Sequence, residues 1–329
     1  MARTTMEDVA KAAGVSRALV SLAYRNASGV SESTRARILS TGNQIGYVHN
    51  RIAASLASTK PASIGVFLQD LHNDFFADVY DGIREIAEPK ARQLVLSVGS
   101  RNHDRDASSL GTLEGAQVGT IIAAGLRMAD SDALAHSQRT PLIAIARHIP
   151  GVDSVYSDNV FGGQLATEHL LQLGHRRIVF LANPPTDGYL GRREGYETSM
   201  LEAGLKPRVI ESTYARSDAA EIATELLADT EAPTAIFAHN DQAALGVLDA
   251  LAARSLVPGQ DVSVIGYDNS SVSNTPGTAL TSIDLHALEL GREATRLALR
   301  RFENPDLEPQ LVTSTPSLVL RATTGPVST

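Results

Sequence analysis

Residues 5 to 25 read T-M-E-D-V-A-K-A-A-G-V-S-R-A-L-V-S-L-A-Y-R, and the breaks in this stretch decide the architecture of the first part of the chain. Thr5, with Asp8 three residues on, caps a helix whose apolar positions Met6, Val9, Ala10 and Ala13 recur at helical spacing. Gly14-Val15 breaks that helix and Ser16 caps a second, whose inward face is Val20, Ala23 and Tyr24 and which runs to about Arg25. Two short helices joined by a four-residue turn containing Gly match a DNA-binding helix-turn-helix; a generic helical hairpin is the alternative. A third helix is predicted from the Ser31 cap, with Ile38, Leu39, Gly42 and Ile45 closing a small core. A Gly inside a helix costs about 1 kcal/mol relative to Ala, so Gly42 marks a point of close packing.

Charge separates this head from the remainder of the chain. Residues 1 to 60 hold eight Lys and Arg against three Asp and Glu, a net of +5, while residues 61 to 329 hold 21 against 34, a net of −13. A basic module gathers phosphates by counterion release, and an acidic remainder stays off the polyanion. The 329 residues, 43% of them hydrophobic, suffice for two or three packed domains. Met1 to Thr5 runs directly into polar sequence with no apolar signal core, and no window reaches the roughly 18 apolar residues of a membrane span, so a cytoplasmic protein without membrane contact is expected. Absence of Cys excludes disulfides, thiolate metal sites and a Cys nucleophile.

From Pro61 onward, short β-rich runs alternate with helical segments: 63 to 68, 94 to 98, 120 to 124 and 142 to 145, then a second set at 178 to 182, 209 to 212, 235 to 238 and 262 to 267. That rhythm predicts parallel βαβ units in two doubly wound lobes, with a ligand at the carboxyl ends of the strands. Enzyme signatures are missing: there is no G-x-G-x-x-G after a strand, no G-x-x-x-x-G-K-[ST], no G-x-S-x-G and no H-E-x-x-H. The nine His are scattered, so neither metal, cofactor nor catalytic residue is assigned.

Several stretches together resemble the LacI/GalR family of transcriptional repressors. They are residues 5 to 21, V-S-E-S-T-R at 30 to 35, G-Y-V-H-N-R-I-A-A-S-L-A at 46 to 57, D-L-H-N-D-F-F at 70 to 76, A-T-E-H-L-L-Q-L-G-H-R-R-I at 166 to 178, R-R-E-G-Y at 192 to 196, N-D-Q-A-A-L-G at 240 to 246 and V-I-G-Y-D-N at 264 to 269. The resemblance runs through nearly the whole chain. It implies an α/β protein with a small all-α helix-turn-helix head (1–49), a hinge helix and linker (50–60), and an effector-binding and dimerisation body (61–329) of periplasmic-binding-protein type I. The N-lobe would take about 61–157 and 285–315, and the C-lobe about 158–284 and 316–329.

The start of the second helix would enter the major groove, placing Arg17, Ala18 and Leu22 toward base edges. Two readings stay open for Arg17, a fork onto guanine or a phosphate contact. Ser16, Ser21, Ser31, Thr34, Tyr47 and Asn50 match family positions that hold the DNA backbone, and Thr5, Arg25, Arg51 and Ala53 complete the expected DNA-facing set. Leu22 stands where the family usually has Arg, Arg25 where Asn is common, and His49 where Pro is common before Asn50. Residues 50 to 58 would form a helix only when two copies pair over an operator, with Leu56 wedged into the minor groove. An amphipathic linker helix packed on the body is the other reading.

In the body, the resemblance makes Arg192 the clamp on an effector, with Asn240 and Asp268 completing a polar ring, Asn73 adding a hydrogen bond and Phe75 or Phe76 an apolar wall. Arg147 belongs to the same set; it follows Ala146, where the family often has Asp, and Leu285 replaces a frequent Gln. An ion pair closing the cleft is the plain alternative for Arg192, while Tyr267 and His239 read as core or rim. A sugar, a more apolar molecule and another class of metabolite all stay open, as do inducer and corepressor. The expected partners are operator DNA of pseudo-palindromic sequence, a small-molecule effector and a second copy of the chain, with no heptad tail after Arg321 to join dimers. A solute receptor and an enzyme on a doubly wound fold are the competing functions.

Overall fold

Local capping and a handful of apolar contacts build the head. The computed structural model describes residues 4–25, 27–48, 63–100, 104–182, 187–213 and 215–327, and the chain divides into two units, Met1–Pro61 and Ala62–Thr329. In the first unit α1 is Met6–Ala13, α2 Arg17–Tyr24 and α3 Glu32–Gln44. Thr5 and Asp8 form a reciprocal capping box on α1, and Gly14 ends it in the left-handed region at φ 64°, which L side chains avoid. The Ser16 hydroxyl accepts from the Leu19 amide and the Ser31 hydroxyl from the Thr34 amide, starting α2 and α3. Val9, Ala10, Val20, Ala23, Ile38 and Tyr47 make the buried core. Tyr47 packs edge-on against Tyr24 with 5.3 Å between ring centroids, and a Cβ on Gly42 would overlap the Tyr24 hydroxyl, which is why Gly stands there. The hinge expectation, with Asn50, Arg51, Ala53 and Leu56, lies outside the described residues.

The second unit carries two six-stranded sheets. In chain order its elements are β1 Ser63–Leu68, α4 Asp74–Ala87, β2 Gln93–Val98, α5 Asp106–Gly115, β3 Thr120–Ala124, α6 Asp130–Ser137, β4 Leu142–Ile145, β5 Asp153–Ser157 and α7 Asn159–Gln172. Then come β6 Ile178–Ala182, α8 Asp187–Glu202, β7 Arg208–Glu211, α9 Arg216–Leu226, β8 Ala235–Ala238, α10 Asp241–Ala253, β9 Ser263–Asp268, β10 Thr281–Asp284, α11 Ala287–Glu303, β11 Leu311–Ser314 and β12 Ser317–Val319. The first sheet is ordered β2-β1-β3-β4-β5-β11 and is wholly parallel. The second is ordered β7-β6-β8-β9-β10-β12, parallel except for β12, which pairs antiparallel with β10.

Strand order reverses between β1 and β3, and again between β6 and β8, so each lobe opens a crevice at the carboxyl ends of its strands. The chain passes between sheets three times, after β5, after β10 and after β11. Strands β1, β3, β4, β6 and β8 are buried along their whole length, as expected where helices cover both faces. Helices α7 and α8 cross in backbone contact: a Cβ on Gly163 would overlap the Arg192 carbonyl and one on Gly195 the Val160 carbonyl. That crossing fixes Arg192, on α8, over the end of the second sheet. Among the described residues no helix is long and apolar enough to cross a membrane, and no group of His, Asp or Glu is arranged to hold a metal.

Candidate DNA-reading surface and effector cleft

In the head, α2 turns Val20 and Ala23 inward and leaves the start of the helix to solvent. Ser16, Arg17 and Ala18 are exposed, Ser21 and Leu22 half-buried, and Arg25 exposed at the C-cap with its Nε donating to the Ser21 carbonyl at 3.3 Å. Thr5 and Ser31 are exposed but their hydroxyls are engaged in caps, while Thr34 is half-buried, its hydroxyl accepting from the Ser31 hydroxyl at 2.8 Å. Tyr47 is buried, its ring part of the core. One residue the sequence reading left unassigned stands out: Arg35 of α3 donates to the carbonyls of Ala23 at 2.8 Å and Ala27 at 2.8 Å, with Leu22 at 3.5 Å. The V-S-E-S-T-R stretch contains it, but only the folded head shows what it holds.

In the body, β9 ends on a strained turn. Asp268 has φ 106° and Asn269 φ 46°, a conformation that non-Gly residues adopt at a cost and that recurs at ligand clamps. Buried partners hold it in place. Asp241, at the start of α10, accepts from the Ser270 amide and hydroxyl, both at 2.8 Å, and from the Ser282 hydroxyl at 2.6 Å. Arg321 donates to the Asn269 side chain at 2.7 Å and to the Leu280 carbonyl at 2.7 Å.

Over this turn lies Arg192, only 8% exposed. Its Nε donates to Asn159 Oδ1 at 2.9 Å and one amino group to the His239 carbonyl at 2.6 Å; the other is 3.6 Å from Asp268 Oδ1. The guanidinium stacks on the Tyr267 ring, 3.9 Å from its centroid. Burial pushes the Asp268 carboxyl up to about 8, against the pull of Arg192 and helped by Asp241. Burial also pushes Asp241 up to about 6, against its three hydroxyl and amide donors, and drives the His239 imidazole well below its ordinary range, so it is neutral.

The two lobes meet here. The Asn73 side chain caps α4 through the Phe75 amide at 3.0 Å and also hydrogen-bonds the Asp268 carboxyl. Alongside, Gln242 donates to Asp74 at 3.1 Å and the Ser271 amide to Asp78 at 3.1 Å. Arg192, Asp268 and Asn73 are therefore brought together at the strand ends. Asn240 is adjacent, but its Oδ1 caps α10 through the Ala243 amide at 2.8 Å. Phe75 and Phe76 are buried in the main core. Arg147 is engaged elsewhere: it donates to the carbonyls of Leu126 at 3.0 Å and Met128 at 2.9 Å and pairs with Asp130, bracing the loop after β3. Asn159, Asp241, Ser282 and Arg321 were not expected at the site, and Tyr267, read as core, is the seat of the Arg192 guanidinium. Their sequence signals are weak because each meets the site across a long stretch of chain.

Comparison with known proteins places this geometry. Residues 5–50 match the model for bacterial regulatory proteins of the lacI family, and residues 167–324 that for a periplasmic binding protein-like domain. The chain is 32% identical to the HTH-type transcriptional regulator DegA of Bacillus subtilis, over 99% of this chain and 100% of that protein. It is 31% identical to the HTH-type transcriptional repressor PurR of Haemophilus influenzae, over 96% and 97%. The solved lac repressor dimer bound to operator and the anti-inducer ONPF shares the fold with a TM-score of 0.83 and 26% identity, covering 98% of this chain and 100% of that one. A capped helix-turn-helix head, a two-lobed body of this topology and end-to-end likeness to named regulators agree: the chain belongs to the LacI family and is a DNA-binding transcriptional regulator, not an enzyme.

Proposed function

We propose that this regulator acts in the cytoplasm as a homodimeric repressor of a pseudo-palindromic operator, and that a small molecule, a sugar or another polar metabolite, sets its affinity for that DNA. Each head reads one half-site, with Arg17 forked onto a guanine and Ala18 and Leu22 beside it, while Ser16, Ser21, Arg25, Ser31 and Thr34 steady the backbone. Two-fold pairing is drawn from the resemblance to a repressor solved as a dimer on its operator. Residues 50–60, with Asn50, Arg51, Ala53 and Leu56, would join head and body.

The observation that carries effector control is the cluster of Arg192, Asp268 and Asn73, drawn from both lobes onto one strained, buried turn. A molecule seated there touches both lobes and so has unequal affinity for their open and closed arrangements, which is the requirement for shifting DNA binding. Coupling of about 1–3 kcal/mol is expected, equal in both directions. A thermal-shift screen of metabolites against the full-length protein tests this. The expected hit raises the melting temperature, changes affinity for DNA by the same factor that DNA changes affinity for the hit, and is lost in Arg192→Met. A tight ligand that leaves DNA affinity untouched contradicts the reading.

A further inference from the structure

We propose that Arg35 is a positioning residue for DNA readout, fixing the angle at which α2 presents Arg17 and Ala18 without touching the DNA. The inference rests on the DNA-reading role of the head. Helix α2 is eight residues long, far too short to hold its own orientation in water, and its last carbonyls take their donors from beyond its end, the Arg25 amide reaching Ser21 at 3.1 Å and the Ala27 amide Leu22 at 3.1 Å. Ser16 secures the N-terminal end. At the other end a single guanidinium bridges the last turn of α2, through Ala23, to the loop beyond it, through Ala27. It reaches there from the first turn of α3, so the fork ties the reading helix to the helix that closes the core.

Two features set Arg35 apart from a phosphate contact. It is half-buried, with its donors turned onto main-chain carbonyls. The acceptors also lie on two segments, the last turn of α2 and the chain at Ala27, which a planar fork spans and a Lys ammonium does not. The charge that counts here is therefore directed inward, next to the carbonyl end of α2, where a cation is favoured. A rotation of α2 about its own axis would pull Ala23 away from the guanidinium and carry Arg17 off its target base.

The test compares wild type, Arg35→Lys and Arg35→Met as full-length proteins, by hydrogen exchange and by titration of DNA. The DNA is a symmetric duplex selected from a random pool by the wild type, with poly(dI-dC) as the non-specific probe. Arg35→Lys is expected to lose about tenfold in affinity for the selected duplex, the worth of a charge-assisted hydrogen bond, with poly(dI-dC) affinity and salt slope unchanged. Peptides covering 17–30 should exchange about tenfold faster while those covering 4–14 keep wild-type rates. Wild-type-like binding and exchange in Arg35→Lys would overturn the proposal. So would an equal loss on both DNAs with a salt slope shallower by about one in Arg35→Met, which marks a phosphate contact. Faster exchange throughout the head would reduce Arg35 to a folding role. Should the wild type select no symmetric duplex, the operator reading fails, and the exchange experiment still decides the role of Arg35.

Discussion

Arg17 and Arg192 are the same residue in opposite settings. Arg17 is exposed on the first turn of α2, put there by a serine cap one residue away. Arg192 is buried beneath Asn159, His239, Tyr267 and Asp268, residues 33 to 76 positions distant in the chain. A head that reads a polymer coming to it needs its reading groups in solvent, and Arg17, the proposed reader, stands there and is positioned locally. A body that surrounds a small molecule needs its polar groups buried and held by one another, as Arg192 and Asp268 are. Water screens the first arginine and little screens the second, which makes an exchange of one residue for another far more costly in the body.

The largest difference should appear at the helix crossing that carries Arg192. Gly195→Ala puts a Cβ into the Val160 carbonyl, which is backbone and cannot yield, and should cost the body about 3 kcal/mol in urea unfolding. A loss under about 1 kcal/mol would mean the α7–α8 contact is softer than described. Arg192→Met should come next, because it leaves the Asp268 carboxyl buried without its cation, a change worth about 3 kcal/mol where that carboxyl is ionised. The effect should be small at pH 6, where Asp268 holds its proton, and grow as pH rises through 8 and beyond, since the carboxyl without its cation gives up the proton later still. The wild type carries the same signature. Unfolded, an Asp has an ordinary value near 3.9, whereas burial pushes the folded Asp268 carboxyl far above it, so over the window between the two the folded state binds more protons and stability falls as pH rises. Asp268→Asn should remove the part of that slope above about pH 6 and leave the part that buried Asp241 contributes below it, and the difference between wild type and variant at pH 6.5 and 8 measures the Asp268 share.

Smaller effects belong to the head. Arg17→Ala should cost specific binding about 1–3 kcal/mol and relax base preference at one position of each half-site. A uniform loss over all sequences, with a shallower salt slope, would make Arg17 a phosphate contact. Ser16→Ala should cost about 1 kcal/mol of head stability and leave the body transition unmoved.

The same contrast explains what was legible in the sequence. Caps are local, so Thr5, Ser16 and Ser31 announced the three head helices, and Gly42 announced its close contact. Apolar runs announced the central strands, five of them to the residue: β1, β3, β4, β6 and β8. The strands that were not read as such, β5, β10, β11 and β12, are D-S-V-Y-S, T-S-I-D, L-V-T-S and S-L-V, too polar to signal burial. Their polarity is satisfied from afar. Asp153 is clamped by Arg301 at 2.7 Å, and the Ser157 hydroxyl reaches the Leu285 carbonyl at 2.8 Å across 128 residues. Strand rhythm announced the strand ends, and family resemblance picked Arg192, Asp268 and Asn73, which the fold brings together there. It also picked Arg147, whose guanidinium braces a loop, and it passed over Asp241 and Arg321, whose work is to hold a strained turn that no local pattern announces.

Selection of random duplex DNA by the purified full-length protein, at moderate salt and without added metabolite, decides whether the head reads sequence. A homodimeric repressor should enrich a two-fold symmetric site, whose preference at one base of each half-site is lost in Arg17→Ala. Enrichment of no sequence at all, with and without the metabolites that stabilise the body, would contradict it.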